Sequence, residues 1–379
     1  MPALQLNAMR AHRYFFTLFL LAASVAFAQP KLETITDGPY VFHTPVGVEA
    51  RWICNGALHT TLMSNASVLK APRGTVSGFA LDDNNLAIAP DTLPAPTRWA
   101  AVSDTHGQNT LLLSLLRAQG IVDAAGRWAW GRGVLVVVGD VFDRGDTQTE
   151  SLWLVYRLSS EAREAGGRVE MRLGNHETMV LANDLRYLHP KYPLVATALN
   201  TPFPQLFGDD TELGKWLRAR ATMLKLGDTL FVHGGLHPDF IAKWPTLDAL
   251  NNKMRKHLGE PRAARNMNAE ASWLFGRDGP VWYRGYFVAP RASLAQVDKQ
   301  LAHFGVRRIV VGHTTRHEVT SLYGGRVVAI DAGLKEGTRG ELLIWENKQL
   351  SRGLLSGKRI LLAAGKDDGS RELKDEDDH

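Results

Sequence analysis

Five short segments hold most of the side chains that could do chemistry. They are Asp104-Thr105-His106-Gly107, Gly139-Asp140-Val141-Phe142-Asp143-Arg144-Gly145, Gly174-Asn175-His176-Glu177, His233-Gly234-Gly235 and Gly312-His313. Asp, His and Asn without cysteine form a borderline-to-hard ligand set, suited to Zn, Fe or Mn rather than to a thiolate centre. Three such groups hold one ion, and one shared carboxylate lets a second sit about 3.5–4 Å away, where the pair can clamp a phosphoryl group during in-line displacement. Water held between two such ions is already ionised at about pH 7. Arg144, one residue after an acid, offers a planar fork that matches phosphate oxygens. Singly, each segment reads more simply: Asp-x-His as a turn and a surface histidine, His233 as a core histidine, Arg144 as a surface cation. It is the ordered set that carries information.

Each segment follows a short run of strand character: Trp99–Ser103, Val134–Val138, Val169–Leu173, Thr229–Val232 and Arg308–Val311, with a sixth run at Val327–Ile330. Helical patterns lie between them. One is capped by Asn109 and runs through Gln119, one spans Thr147 to about Ala165 and stops at Gly166-Gly167, and one places Leu294, Val297, Leu301 and Phe304 on a single face. Strands alternating with helices predict an α/β sheet. Ligand sites in such sheets lie beyond the carboxyl ends of the strands, and glycine there permits sharp turns and close approach. The five loops are therefore expected to converge on one spot.

In that order, the segments resemble the motif series of calcineurin-like metallophosphoesterases. Gly-Asp-x-x-Asp-Arg-Gly followed by Gly-Asn-His-Glu is the form of the phosphoprotein phosphatase branch. Gly279-Pro280-Val281-Trp282-Tyr283-Arg284-Gly285 and Ile330-Asp331-Ala332-Gly333-Leu334 resemble its bacterial Shewanella-like group. The likeness covers about residues 98–335. It implies an αββα sandwich with a dinuclear centre: Asp104 and His106 on the first metal, Asp140 bridging, and Asn175, His233 and His313 on the second. It further implies that His176, steered by Asp143, protonates the leaving oxygen, and that Arg144 and Arg284, with Asn175, bind the phosphate. Thr315 stands where many small-molecule and phosphodiester-cleaving relatives have a metal-binding histidine, which favours the protein-phosphatase branch. Asp331 reads as a turn carboxylate outside the catalytic set. Ser103 and Phe142 replace the glycine and valine usual in the pattern.

Composition sets the frame. The 379 residues are 45% hydrophobic and 22% charged, ordinary for globular proteins and incompatible with disorder, collagen or a disulfide scaffold as a description of the whole. A net charge of +5 predicts no nucleic-acid partner. Residues 1–28 read as a secretory signal: Arg10, His12 and Arg13, then an apolar run, then Ala26-Phe27-Ala28. Export to the periplasm or medium is expected, with no stable membrane insertion after cleavage. Cys54, the single cysteine, cannot form an internal disulfide and reads as a small buried hydrophobe.

Residues 29–97 predict a β-rich N-terminal segment without chemistry of its own, and residues 98–350 the catalytic domain. Insertions 178–228, with a helical piece at Glu212–Met223, and 236–282 are expected to cap the site. Residues 351–379 form an extension whose stretch 366–379, with seven acids and three bases, predicts a solvated tail. The expected activity is hydrolysis of phosphate monoesters on Ser/Thr or Tyr side chains by a metal-bridging hydroxide, using two Mn, Fe or Zn ions. The alternatives are an exported phosphatase for nucleotides or sugar phosphates, and a binding module without catalysis.

Overall fold

Alternation along the strands sorts the core into three layers. The computed structural model describes residues 31–63, 78, 80–365 and 367; the expected signal and most of the acidic tail lie outside the described residues. The strands are β1 (Asp37–Thr44), β2 (Gly47–Cys54), β3 (Ala57–Met63), β4 (Thr92–Leu93), β5 (Arg98–Val102), β6 (Val134–Val138), β7 (Arg168–Arg172), β8 (Met223–Leu226), β9 (Thr229–Val232), β10 (Arg308–Val311), β11 (Thr320–Leu322), β12 (Val327–Ala329), β13 (Glu341–Glu346), β14 (Gln349–Leu354) and β15 (Arg359–Leu361). They form a three-stranded sheet β1-β2-β3 and two six-stranded sheets, β15-β14-β13-β5-β6-β7 and β11-β12-β10-β9-β8-β4.

Successive side chains of a strand face opposite ways. On β6, Val134, Val136 and Val138 pack with Phe231, Val310 and Val328 of the second large sheet, while Leu135 and Val137 pack outward on the helices Asn109–Ala118 and Gln148–Glu164. On the far side, Leu230, Val232, Ile309 and Val311 meet Leu250, Met254, Val297 and Leu301, from the helices Leu247–His257 and Leu294–Phe304. The result is helix, sheet, sheet, helix: the αββα sandwich that the family resemblance implies. Each fully buried aliphatic side chain contributes about 1.5–3 kcal/mol relative to exposure, so the doubly covered valine runs anchor the frame from which the site loops spring.

The N-terminal sheet is welded to the first large sheet's helical layer. Trp153 Nε1 donates to Pro39 O at 2.8 Å, Tyr40 Oη lies 3.1 Å from Thr149 Oγ1, and Tyr40, Val41 and Trp52 share that layer's core. Cys54 is only half-buried, because it ends β2 opposite Ala57 at the mouth of the hairpin.

Several boundaries differ from the reading of the sequence. Asn109 is the first residue of its helix and does not cap it; its amide instead donates to Thr147 Oγ1 at 3.1 Å. Leu294 starts its helix 38% exposed, and Gln300 takes a place on the buried face. The helix from Glu212 ends at Arg218, and Met223 opens β8, where Asn251 Oδ1 accepts its amide at 3.0 Å. β14 and β15 carry the first large sheet past residue 350. Asp367 is held by Arg291 at 2.8 and 2.9 Å rather than being solvated. Among the described residues, no helix is long and apolar enough to cross a membrane.

Candidate metal centre and active site

All five site loops leave the carboxyl ends of parallel strands: β5, β6 and β7 in one sheet, β9 and β10 in the other. The loops are stitched together by their backbones. Asp104 N donates to Gly139 O at 3.0 Å, His106 N to Asp140 O at 2.9 Å, Gly145 N to His106 O at 2.9 Å and Gly312 N to His233 O at 2.8 Å. The Glu177 carboxylate accepts from Asp140 N (2.9 Å), Val141 N (2.7 Å) and Gly174 N (2.7 Å), tying the second loop to the third. Asp104, His106, Asp140, Asp143, Arg144 and His313 adopt positive φ between 43° and 70°. Such conformations cost non-glycine residues of order 1–3 kcal/mol each and persist where the surroundings over-determine them. Glycine is required at 139, φ 81°, because a Cβ there would lie 2.5 Å from Gly174 N and 2.9 Å from His233 Nδ1.

Asp140 is the hub. Its Oδ2 lies 3.1 Å from His233 Nε2, 3.7 Å from His106 Nε2 and 3.9 Å from His176 Nε2, and its Oδ1 accepts His176 N at 3.0 Å. Two buried triads share it: His106, Asp140 and His176 on one side, Asp140, His233 and His313 on the other, each with ligand atoms within 4.8 Å of one another. Asn175 Oδ1 joins the second triad, 2.9 Å from His233 Nε2. Asp104 enters neither triad; its Oδ2 accepts His313 N at 3.0 Å. The far ring nitrogens are fixed, His233 Nδ1 at 2.7 Å from Val138 O and His106 Nδ1 at 2.8 Å from Phe142 O. This leaves both Nε2 atoms turned toward Asp140, as ligand histidines are oriented by outer-shell carbonyls.

The electrostatics fit cations. Burial pushes Asp104 well above the ordinary carboxylate range, and Asp331 adds to it; burial likewise raises Asp331 and Asp143. Asp140 goes the other way: burial opposes its charge, but His233, His176 and His106 outweigh it and hold it well below the usual range. His233 mirrors it, with burial outweighed by Asp140 and Asp104, and rises to about 10. Burial drives His106 and His313 well below the ordinary imidazole range, so both rings stay neutral and able to ligate. His313 Nε2 is buried with no hydrogen-bond partner among the described residues. Neutral imidazoles, carboxylates starved of positive charge and an orphaned ring nitrogen are the surroundings a cation would satisfy.

The remaining expected residues rim this centre. His176 Nδ1 pairs with Asp143 Oδ2 at 2.6 Å, and Asp143 N donates to Gln148 Oε1 at 2.6 Å. Arg144 is exposed and lies over the Tyr187 ring at 5.2 Å. Arg284 reaches Thr314 Oγ1 at 3.4 Å and lines a cavity of about 980 Å³. Trp282 sets its edge against His313, centroids 5.5 Å apart, and Tyr187 lies 5.2 Å from the His176 ring; both line the same cavity.

Three residues go beyond the sequence reading. Asp331 is buried, accepts Thr315 Oγ1 at 2.5 Å and Gly333 N at 3.1 Å, and bears electrostatically on Asp104. The signal was present: it ends the sixth strand run, as the other acids end theirs. Glu177 belonged to a recognised segment, but its role as amide clamp depends on loops meeting. Tyr187 gave no signal.

Comparison with known proteins agrees with this architecture. A family model described as calcineurin-like phosphoesterase matches residues 97–317. The crystal structure of a cold-active protein-tyrosine phosphatase from a psychrophilic Shewanella species superposes with a TM-score of 0.84 at 41% identity, covering 87% of this chain and 100% of that one. Shewanella-like protein phosphatase 2 of Arabidopsis thaliana is 26% identical over 64% of this chain and 72% of its own. A Schizosaccharomyces pombe protein, C1840.07c, is 32% identical over 65% and 76%. With its motifs on strand ends of a shared sandwich and a buried Asp/His cluster able to hold metal, the chain belongs to the calcineurin-like phosphoesterase family and is a hydrolase of the phosphatase type.

Proposed function

We propose that the chain dephosphorylates proteins, with the Asp140 cluster as reaction centre. One observation carries the reading: a single buried carboxylate, Asp140, stands between His106 on one side and His233 and His313 on the other, a placement from which one acid could serve two cations. Asp104, His106 and Asp140 would hold one ion, and Asp140, Asn175, His233 and His313 the other, each being Mn, Fe or Zn. Bound there, such ions supply Lewis acidity and water ionised at about pH 7.

The chain's own residues do the rest. Arg144 and Arg284 orient the phosphate by forked hydrogen bonds. Asp143 engages His176 Nδ1 at 2.6 Å, which leaves Nε2 to carry a proton to the leaving oxygen. Trp282 and Tyr187 shelter the two histidine groups from solvent. A phosphoprotein substrate is supported by the names of the relatives and by a cavity far larger than a phosphoryl group needs.

The test is turnover by the Mn-loaded protein of phosphopeptides against nucleoside monophosphates. A kcat/KM preference of about a hundredfold for peptides is expected, and the reverse preference overturns the protein-substrate reading. Loss of activity on chelation, restored by Mn, is expected; unchanged activity after metal removal overturns the metal reading. We propose export as well, on the pattern of residues 1–28. N-terminal sequencing of exported protein should start at Gln29, and full-length chain confined to the cytoplasm rejects this.

A further inference from the structure

The cavity beside the centre holds more than a phosphate could use. Its volume of about 980 Å³ is at the upper end of sites that enclose whole ligands, so most of it must receive the part of the substrate that carries the phosphate. Its lining holds six arginines against two aspartates, Asp184 and Asp278. Arg186 is taken by Asp184 in a two-pronged pair, both bonds 2.8 Å. Arg291 is taken by Asp367, and Arg265 is buried against the carbonyls of His257 and Leu258 at 3.1 and 2.5 Å. Arg284 faces Thr314 and His313. Arg262 and Arg277 are exposed and stand in no ion pair with any described residue.

Two of the aromatic rings in the lining, Tyr187 and Phe275, are already covered by arginines. Arg144 and Arg186 lie over Tyr187 at 5.2 and 5.6 Å, and Arg265 lies over Phe275 at 3.7 Å. What the cavity leaves available is guanidinium charge on a partly apolar floor. An arginine fork matches a carboxylate in two parallel hydrogen bonds.

Resting on the phosphoprotein reading above, we propose that this cavity binds an acidic stretch of polypeptide next to the phosphorylated residue, with Arg262 and Arg277 pairing its carboxylates. The chain thereby selects acidic phosphopeptides over neutral ones. The two arginines come from the second insertion, on the helix Arg262–Met267 and in the turn before Gly279, so selection is built on a different part of the chain from the chemistry.

The test uses the full chain loaded with Mn and two phosphopeptides that differ only in Glu-to-Gln exchange on the flanks. The wild type should prefer the acidic peptide by about tenfold in kcat/KM, as steering by charged pairs at a binding surface does. Arg262→Ala/Arg277→Ala should reduce that ratio to about twofold or less, and Arg262→Glu/Arg277→Glu should invert it. A wild-type ratio near one, or the same ratio in all three proteins, overturns the proposal. Better turnover of nucleoside monophosphates than of either peptide overturns it too, while leaving phosphatase chemistry in place. Failure of the wild type on p-nitrophenyl phosphate marks the different case in which the underlying reading has failed.

Discussion

The metal cradle and the neighbouring cavity are built by different means. The cradle hangs from strand ends of two packed sheets, and its shape is set by main-chain hydrogen bonds, six positive-φ residues and the amide clamp of Glu177. The cavity is lined by helical insertions between those strands, and its shape is set by side chains: arginines over Tyr187 and Phe275, and Trp282 against His313. The first construction tolerates little displacement, the second a good deal. Substitutions in the cradle should therefore depress turnover of every substrate, whereas substitutions in the cavity should change the ratio between substrates.

The strongest way to break that contrast is Asp140→Asn. With the shared charge gone, kcat/KM should fall at least about a thousandfold on peptides and on p-nitrophenyl phosphate alike. Circular dichroism should show a retained fold; normal rates would remove Asp140 from the centre. Next comes His176→Asn, with an expected loss of about a hundredfold on alkyl phosphates and well under tenfold on p-nitrophenyl phosphate, whose leaving group scarcely needs a proton. Equal losses on both, measured side by side, would count against proton donation.

The smallest effect is expected at the seam between the two regions. Tyr187→Ala removes the ring beneath Arg144, a contact of about 0.5–1 kcal/mol at an exposed site, and should cost about two- to fivefold in kcat/KM. Tyr187→Phe keeps the ring and should be close to neutral. A large loss in the phenylalanine variant would show that the hydroxyl, not the ring, matters.

The same contrast explains what could be read from the chain. The cradle was legible because each element of it is local: a short apolar run, then Asp, Asn or His within two residues of its end, with a glycine close by. β6, β9 and β10 begin and end at the expected residues. Asp331 follows the same rule after β12, and its burial comes from the parallel pairing of β10 with β12, which no single segment reveals. Of the cavity, Tyr187 was not legible, since it sits in a polar stretch whose importance arises only where Arg144 N reaches its carbonyl at 2.9 Å. The break between the helix at Glu212 and β8 was missed for a like reason: Met223 is claimed by the Asn251 side chain, 28 residues further on.

The backbone amides gathered by Glu177 have a thermodynamic corollary. Two loops from neighbouring strands are docked on one carboxylate before any ion arrives, so the ordering entropy of those loops is settled during folding rather than charged against ion affinity. A cation bound there would enter a site whose form the fold has already set, with selectivity left to ligand chemistry.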